Sequence, residues 1–218
     1  MASVRHEDFP IDDPTPDMAP TAKRILDAGV RVLDREGFGG LTFERIAQES
    51  GENGALIRYH FGSKAGLVRA IVDAVIFSQA RGLVRLLTPL KPGKERREAL
   101  LKRRRAVAVD LTTYSRMYEV TPAALRDAEL RPKYRDLMRW YRKLNAWVYG
   151  SEHPDEKEKA ALEPLAVLMS AMLNGIALQV QADPELDVQP AFDLWEQFVT
   201  QYLESIQDGR AKTDPPAL

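Results

Sequence analysis

Apolar side chains recur every three or four residues along most of the chain between positions 20 and 207. This spacing is that of an α-helix with one apolar face. No segment shows the clear alternation of apolar and polar residues that is typical of a β-strand. Glycine and proline fall near the junctions of the periodic segments, where helices end or begin. The pattern therefore predicts an all-α protein.

Local signals place the individual helices. Proline suits the start of a helix, serine or threonine its N-cap, and glycine its end. In the first part of the chain the helices are predicted over residues 20–36 (with Pro20 at the start and Gly37 after the end), from Thr42 to Gly51, over about Asn53 to Tyr59, and from Ser63 onward. Further along, they are predicted over about 94–118, 122–129, 132–148, 156–182 and 189–207.

This organisation divides the chain into four segments. Residues 1–19 are rich in acid and proline and lack an apolar period, and residues 208–218 are similar. Both are predicted to be disordered, as an N-terminal arm and a C-terminal tail. Residues 20–66 are predicted to form a small helical head, and residues 67–207 a larger helical domain.

The head has the pattern of a helix-turn-helix, in which a tight glycine turn joins two short helices. Ile46 and Ala47 are expected to pack inward, and Gly51 can adopt the positive φ of the turn. The core face of the second short helix is predicted to consist of Leu56, Ile57 and Phe61. The residues left to face outward are Asn53, Gly54, Ala55, Arg58 and Tyr59.

This outward face suits duplex DNA. The small residues Gly54 and Ala55 would allow close approach to the floor of a groove, and Arg58 offers a fork for a phosphate or a guanine edge. Lys64 falls in the first turn of the next helix, where free N–H groups favour an anion. A small helical bundle with a coincidental glycine turn is the alternative interpretation of the segment.

Part of the sequence also resembles a known family. The residues that carry this resemblance are helix 20–36 with Gly37-Phe38, then Leu41-Thr42, Ile46-Ala47 and Gly51, then Arg58-Tyr-His-Phe-Gly-Ser-Lys64-Ala-Gly-Leu67. In this order they are similar to the N-terminal domain of the tetracycline-repressor-like (TetR) transcriptional regulators. The match covers about a fifth of the chain, and an all-helical remainder of suitable length follows it.

The resemblance implies a homodimer that binds a pseudo-palindromic DNA operator, usually as a repressor. It further implies a C-terminal domain that binds a small molecule and then releases the DNA. The residues expected to lie at the DNA are Thr42, Arg45, Asn53, Gly54, Ala55, Arg58, Tyr59, His60 and Lys64.

Some of these positions stay open. His60 can pack or contact the backbone instead of reading a base, Tyr59 can be a plain surface aromatic, and Arg45 adjoins two glutamates. Family members often carry a small apolar residue where Glu52 stands, and its negative charge is unfavourable near DNA unless it reads a cytosine or points aside. Arg58 also departs from the more usual tyrosine, which keeps a hydrogen-bond donor but changes its reach.

Composition excludes several classes of protein. The 218 residues are 44% hydrophobic and 29% charged, as in an ordinary globular protein, and they include no cysteine and three histidines. Disulfide, thiolate-metal and cysteine-nucleophile chemistry are excluded, and no cofactor, metal site or catalytic group is expected. No run of about 18 apolar residues and no secretory signal is visible, so a cytoplasmic protein without a membrane span is expected.

Charge is distributed unevenly although the total is −1. Residues 67–150 hold nineteen basic and eight acidic side chains, and residues 151–218 hold four and thirteen. The most basic stretch contains Lys91, Lys94, Arg96, Arg97, Lys102, Arg103, Arg104 and Arg105. Its residues spread around more than one face of a helix, which favours a solvated surface over a DNA contact, although it could steer association electrostatically.

The last two predicted helices have wide apolar faces, which suit a two-fold, four-helix interface between two copies of the chain. The family resemblance places the dimer contact on the same helices. Packing inside one subunit explains some of these side chains equally well. The residues expected at the interface are Leu165, Met169, Met172, Leu173, Ile176, Trp195, Phe198, Val199 and Tyr202.

The middle helices are rich in aromatic residues and methionine, as in a cavity for a largely apolar small molecule. The expected lining residues are Phe77, Tyr114, Met117, Tyr118, Met138, Trp140, Tyr141, Trp147 and Asn174. Each of them can instead be plain core, and Arg116, Arg139 or Arg142 could hold a carboxylate.

The sequence thus predicts a DNA-binding regulator, released from its operator by an effector through a shift between two conformations. An effector-independent regulator or an activator of the same fold is the main alternative. An enzyme is not expected, because no phosphate loop, histidine–acid spacing or nucleophile–base pair stands out. A helical adaptor that binds only protein is a further alternative.

Overall fold

The computed structural model describes residues 18–91, 93–151 and 155–208. Within these ranges the chain is helical and contains no strand, which confirms the all-α fold class. The predicted arm and tail fall almost wholly on residues 1–17 and 209–218, which lie outside the described residues. The helices are α1 (Pro20–Glu36), α2 (Phe43–Ser50), α3 (Gly54–Phe61), α4 (Lys64–Leu87), α5 (Lys94–Ala108), α6 (Leu111–Arg126), α7 (Leu130–Tyr149), α8 (Glu156–Ala182) and α9 (Gln189–Gln207).

The helices form two compact units. The first extends to Arg85 and also includes Thr112–Leu137, and the second consists of Leu86–Leu111 and the described residues from Met138 onward. The predicted head, residues 20–66, lies wholly within the first unit. Its boundary at residue 67 remains a prediction, because the contacts of the first unit continue along α4 to Arg85.

The first unit is built around the apolar stripe of α1. Ile25, Ala28 and Val32 are fully buried, at the spacing expected of one helical face. Gly29 lies on the same face, where an added Cβ would collide with the Ile71 side chain of α4. The α1 helix ends at Gly37, whose φ of 69° is the conformation that glycine adopts most readily.

Two polar contacts fasten α6 to the end of α1 inside this unit. The guanidinium of Arg116 donates from Nε and a terminal nitrogen to the two carboxylate oxygens of Asp34, at 2.5 Å each. The backbone N–H of Phe38 donates to Glu119 Oε2 at 2.9 Å. Arg116, one of three arginines considered for a ligand carboxylate, is therefore occupied by a carboxylate of the protein itself.

The second unit packs α5, α8, α9 and the end of α7 around an aromatic core. The rings of Phe192 and Trp195 stack with centroids 5.4 Å apart. The Trp195 indole donates to Met169 Sδ at 2.8 Å, and the Tyr202 hydroxyl donates to the Ala161 carbonyl at 2.9 Å. These contacts join α8 to α9 and fill the interior between them.

Two predicted helix boundaries are wrong. The single helix expected over 94–118 is broken at Val109–Asp110, because α5 ends there and α6 begins at Leu111. Aspartate is favoured before a helix start, and the continuous apolar period concealed this signal. The break expected at Pro122 does not occur, since α6 continues through this proline to Arg126.

The α8 helix is long and apolar enough to cross a membrane by length and composition alone. An 18-residue stretch of it has a mean hydropathy of 1.6, and 33% of that stretch is buried. The α8 helix nevertheless has no continuous run of 18 apolar residues, because polar residues such as Ser170 and Asn174 interrupt it. A core helix of a soluble protein meets the same criterion, and the buried positions of α8 face α5 and α9 within the second unit.

Candidate nucleic-acid interface

The helix-turn-helix is formed by α2 and α3. Thr42 Oγ1 accepts the backbone N–H of Arg45 at 3.2 Å and so caps α2, as predicted. The turn begins at Gly51, whose φ of 73° and ψ of 9° are left-handed. Asn53 Oδ1 accepts the N–H of Leu56 at 2.9 Å and caps α3. Two short helices with their own caps are thereby fixed on either side of a three-residue turn.

The α3 helix presents most of its surface outward. Ile57 is its fully buried side chain, whereas the ring of Tyr59 is 82% exposed. Gly54, Ala55 and Arg58 are also exposed, as predicted. These positions form an outward face with two small residues at its start and long side chains further along.

Leu56 departs from the prediction. It was expected in the core face of this helix but is 36% exposed. Leu56 and Ile57 are adjacent, so they point about 100° apart on an α-helix, and here Ile57 is the one that enters the core. Leu56 is therefore an apolar part of the outward face.

Asn53 and His60 have structural roles beside any contact with DNA. The carbonyl oxygen of the Asn53 side chain is used in the cap, so its amide NH2 group is the part free to donate, with no partner among the described residues. His60 is half-buried, and its ring meets the rings of Tyr59 and Phe61 edge-on at 5.1 and 6.4 Å. The sequence left His60 open between packing and reading a base, and its surroundings favour packing.

The junction between α3 and α4 is shaped by Gly62 and by the cap residue Ser63. Gly62 has a φ of 70° and ends α3. Ser63 then caps α4, because its Oγ accepts the N–H of Gly66 at 3.1 Å. Lys64 is the first residue of α4 and is exposed. The lysine therefore stands at a helix N-terminus, where unpaired N–H groups and the helix dipole favour a phosphate.

The basic side chains of the head fall into two groups, those that form ion pairs and those that do not among the described residues. Residues 20–66 contain seven basic side chains. Five lie within 4 Å of a carboxylate, namely Lys23 with Asp27, Arg24 with Glu52, Arg31 and Arg35 with Glu49, and Arg45 with Glu36. Arg58 and Lys64 have no ion-pair partner among the described residues; Arg58 only lies over the Phe43 ring, 5.8 Å from its centroid. The unpaired positive charge of the head is thus carried by α3 and by the start of α4.

The same pairs account for Glu52, whose negative charge conflicts with a DNA-binding face. Its carboxylate accepts from Nε and a terminal nitrogen of Arg24, at 3.0 and 2.6 Å. Glu52 is therefore directed toward α1 and neutralised there. Arg45 is near Glu36, with Nε and Oε2 3.4 Å apart, so its proposed contact with DNA competes with this pair.

Glu49 is paired with two arginines of α1. Hydrogen bonds from Arg31 and Arg35 hold its pKa below the ordinary value. In turn, hydrogen bonds to Glu36 and Glu49 raise the pKa of Arg35. This cluster joins α1 to α2 at the solvent-exposed side of the head.

Replacing Glu49 with glutamine is expected to lower the melting temperature slightly at neutral pH and to have no effect in acid. A carboxylate whose pKa is depressed by folding stabilises the fold above its unfolded pKa, and this contribution is lost as the pH falls through the folded value. With an unfolded pKa of about 4.3, the difference between wild type and Glu49→Gln should close below roughly pH 4. Glu44→Gln is the control, since Glu44 lies on the same helix without an ion-pair partner among the described residues. If the melting temperatures of the two variants depended on pH in the same way, the stabilisation could not be assigned to the ion pairs of Glu49.

The residues predicted to line an effector cavity fall in both units. Phe77, Tyr114, Met117 and Tyr118 belong to the first, and Met138, Trp140, Tyr141, Trp147 and Asn174 belong to the second. In the first unit the rings of Tyr114 and Tyr118 lie 5.8 Å apart, and burial raises the pKa of Tyr118. In the second, Asn174 is exposed. The cavity as a whole stays a prediction.

The residues predicted at a dimer interface divide into two groups. Leu165, Met169, Trp195 and Val199 are buried inside the second unit of a single chain. These four are therefore core residues, with almost no surface left to offer a second copy. Met172, Leu173, Ile176 and Tyr202 are partly exposed, and Phe198 is exposed.

Two arginines of the basic stretch are buried, contrary to the solvated face expected for it. Arg96 is 4% and Arg104 6% exposed, eight residues apart on one face of α5. The Arg96 guanidinium lies over the Trp147 ring, 3.8 Å from its centroid. A run of neighbouring lysines and arginines gave no sign that two of its members enter the core.

Comparisons with known proteins agree with the head geometry. The family model described as bacterial regulatory proteins, tetR family, matches residues 25–71. The chain is 40% identical over 56 residues to the uncharacterized HTH-type transcriptional regulator YvkB of Bacillus subtilis, which covers 26% of this chain and 30% of that protein. It is 37% identical over 68 residues to the HTH-type transcriptional repressor NicS of Pseudomonas putida, which covers 30% and 32%. The matched segments span about a third of the length of these relatives.

The fold of the whole chain also has solved counterparts. A proposed transcriptional regulator from Saccharomonospora viridis, crystallised in complex with choline, superimposes with a TM-score of 0.63 at 22% sequence identity, over 84% of this chain and 95% of that one. The similarity therefore continues beyond the head into the C-terminal helices. The helix-turn-helix segment thus matches the tetR family of bacterial regulatory proteins, and the fold of the chain resembles that of the S. viridis protein.

Proposed function

We propose that this protein is a transcriptional regulator that binds a palindromic DNA operator as a homodimer. The observation that carries the proposal is the distribution of charge in the head. Five of its cations are paired with carboxylates, whereas Arg58 and Lys64, on α3 and at the start of α4, have no ion-pair partner among the described residues. Duplex DNA supplies the negative charge that these two residues lack.

In this proposal α3 enters the major groove. Gly54 and Ala55 at its start leave room for base edges, and the exposed Arg58 and Tyr59 reach further along the groove. Lys64 and the N–H groups at the start of α4 hold a backbone phosphate beside it. Base contacts then set the sequence preference, whereas the phosphate contact sets position and affinity.

Dimerisation is proposed through the exposed apolar side of α8 and α9. On α8, Val167, Leu168 and Leu178 are about half exposed, and on α9 Leu194 and Phe198 are exposed. These side chains form an apolar patch, whereas the surface of a monomer normally exposes apolar residues singly. Such a patch suits a self-complementary, two-fold contact. Of the predicted interface residues, Phe198 belongs to this face, whereas Leu173 is partly exposed and lies on the same side of α8 as the buried Met169 and Ala177.

The regulator is proposed to act in the cytoplasm, as a repressor that a small, largely apolar effector releases from DNA. The relative NicS is named a repressor, and the solved counterpart from S. viridis holds choline. An effector releases DNA when it binds more tightly to a conformation whose two heads do not fit the operator. An effector-independent regulator or an activator would share the same head and dimer, so titration of candidate ligands against the operator complex separates these roles.

Replacing Lys64 with alanine is expected to weaken binding to all DNA sequences about equally. A phosphate contact carries no sequence information, and its loss should also reduce the dependence of affinity on salt by roughly one counterion per head. Replacing Arg58 with alanine should instead relax the preference at one or two base pairs, each worth about 1–3 kcal/mol. Gel-shift titrations of operator and scrambled DNA at several salt concentrations measure both effects.

Lys23 provides the control for charge alone. It lies on α1 and is paired with Asp27, so Lys23→Ala should change operator binding less than either variant. The proposal is contradicted if Arg58→Ala and Lys64→Ala both leave operator affinity unchanged in a folded, dimeric protein. Binding by the wild type that does not weaken with salt would contradict it equally.

A further inference from the structure

The second unit contains a buried positive charge that no carboxylate of the described residues neutralises. Arg104 is only 6% exposed and lies on α5. Its guanidinium donates to the hydroxyl of Tyr149 at 3.0 Å and to the side-chain oxygen of Asn145. Both partners are neutral, and Arg104 has no ion-pair partner among the described residues. An arginine stays charged in proteins, so burial cannot be relieved by losing the proton.

The nearby carboxylates are directed to another residue. Asp193 and Glu196 of α9 pair with the neighbouring Arg105, with nitrogen–oxygen distances of 2.9 and 3.5 Å. Arg105 is partly solvated, whereas Arg104 is enclosed. Among the described residues, the more deeply buried of the two guanidinium groups is therefore the one without a counter-ion, which reverses the arrangement that stability alone would favour.

Several donors around this charge have no acceptor among the residues that the structure describes. A guanidinium has five N–H bonds, and two of them are accounted for by Tyr149 and Asn145. The Tyr149 hydroxyl accepts one of these bonds, and its own proton has no acceptor among the described residues. The Asn145 amide is held in place because its Nδ2 donates to the Tyr141 carbonyl at 2.9 Å. The cluster thus offers several donors of fixed orientation and lacks a negatively charged acceptor.

Aromatic rings surround the cluster. The Arg104 guanidinium carbon lies 5.3 Å from the centroid of the Trp195 ring and 5.9 Å from that of Tyr149. Trp195 itself stacks on Phe192. Rings at this distance stabilise a cation only partly, but they provide apolar contact for the body of a small organic molecule.

We infer that Arg104, together with the Tyr149 hydroxyl, binds the carboxylate of an organic-acid effector in the second unit. The planar fork of a guanidinium matches a carboxylate in two parallel hydrogen bonds. The buried charge is then neutralised when the effector is bound and is a cost when it is absent. The inference rests on the proposed function and specifies its effector as a mostly apolar molecule with one anionic group.

The test compares carboxylates with neutral molecules of the same shape. Thermal unfolding of the full chain is measured with benzoate, phenylacetate and hexanoate, each beside its primary amide, at constant ionic strength set with sodium chloride. At least one carboxylate should raise the melting temperature by about 5 °C more than its amide at saturation. If no carboxylate exceeds its amide, the inference is overturned.

Variants locate the effect. Arg104→Met should abolish the carboxylate-specific shift, and Tyr149→Phe, which removes only the hydroxyl, should reduce it. Arg105→Met is the matched control on the adjacent residue and should retain it. If Arg104→Met does not fold, Arg104→Lys keeps the charge without the fork and should show a reduced shift. A full shift in Arg104→Met or Arg104→Lys would overturn the assignment.

Measurements of operator binding distinguish a failure of this inference from a failure of the proposed function. The carboxylate that stabilises the wild type should also weaken its operator complex at least fivefold, the lower end of typical coupling between two sites. Arg104→Met should bind the operator as the wild type does without acid, and should not respond to acid. A wild type that binds no DNA contradicts the proposed function, whereas a wild type that binds DNA but responds to no carboxylate contradicts only the anion site.

Discussion

Replacing Gly66 with alanine is expected to impair both the stability of the head and its binding to DNA, although no DNA contact is changed. A Cβ at this position would lie closer to the backbone carbonyl oxygen of Phe61 than van der Waals contact allows. Phe61 is the last residue of α3, so the clash is with backbone and not with the end of a flexible side chain. The alanine keeps the N–H that Ser63 accepts, so the added methyl group is the whole perturbation.

The clash can be relieved only by moving the end of α3 away from the start of α4. Such overpacking costs about 1–3 kcal/mol, and it shifts Arg58 relative to Lys64. A base contact and a phosphate contact that no longer fit one duplex together should weaken operator binding at least tenfold, which corresponds to about 1.4 kcal/mol. Thermal unfolding and gel-shift titration of the same preparation measure the two effects.

Gly82 provides a matched control on the same helix. A Cβ there meets no atom within 4 Å, and alanine is the better helix former by up to about 1 kcal/mol. Gly82→Ala should therefore be as stable as the wild type or more stable, with unchanged operator binding. If Gly66→Ala matched Gly82→Ala in both melting temperature and operator affinity, the α3–α4 junction would have space for the added methyl group and the expected clash would be contradicted.

The head could be predicted from the sequence because its determinants are local. Thr42 and Ser63 are cap residues within three positions of the N–H groups they accept, and Gly51 is needed where φ is positive. Such signals lie within one turn of the chain and do not depend on distant partners. The error at Leu56 arose because an eight-residue helix contains too few turns for its period to choose between two adjacent apolar residues.

The second unit could not be predicted to the same degree, because its arrangement depends on contacts between distant residues. Arg104 meets Tyr149 and Asn145, which follow it by more than forty positions. In sequence it is one member of a basic run, and such runs are usually exposed. The partners that enclose it are identified only when α5 and α7 are packed together.

The apolar helices α8 and α9 show a related limit. Both have apolar residues on more than one face, and periodicity cannot tell a face that enters the core from one that remains exposed. The structure separates them, with Trp195 in the core and Leu194 beside it 67% exposed. The dimer face is therefore proposed from residues that the sequence analysis ranked no higher than their buried neighbours.

Replacing Phe198 with glutamate is expected to yield a folded monomer that binds the operator at least a hundredfold more weakly than the wild type. Phe198 is 41% exposed in the single chain, so a glutamate there remains solvated in the monomer. In a two-fold interface the same substitution places two uncompensated charges at one contact. Each buried, unpaired charge costs several kcal/mol, which is sufficient to separate the subunits. Light scattering after gel filtration measures the oligomeric state.

The loss of DNA affinity follows from the geometry of a palindrome. In the proposed dimer each head reads one half-site through a helix of eight residues, and two heads held about one turn of DNA apart bind far more tightly than one. Leu125→Glu is the control, since Leu125 is 49% exposed on α6 and outside the proposed face; this variant should remain dimeric and bind normally. A Phe198→Glu protein that stays dimeric would assign the subunit contact to another surface. A monomer that binds the operator as tightly as the wild type would instead show that dimerisation contributes nothing to recognition.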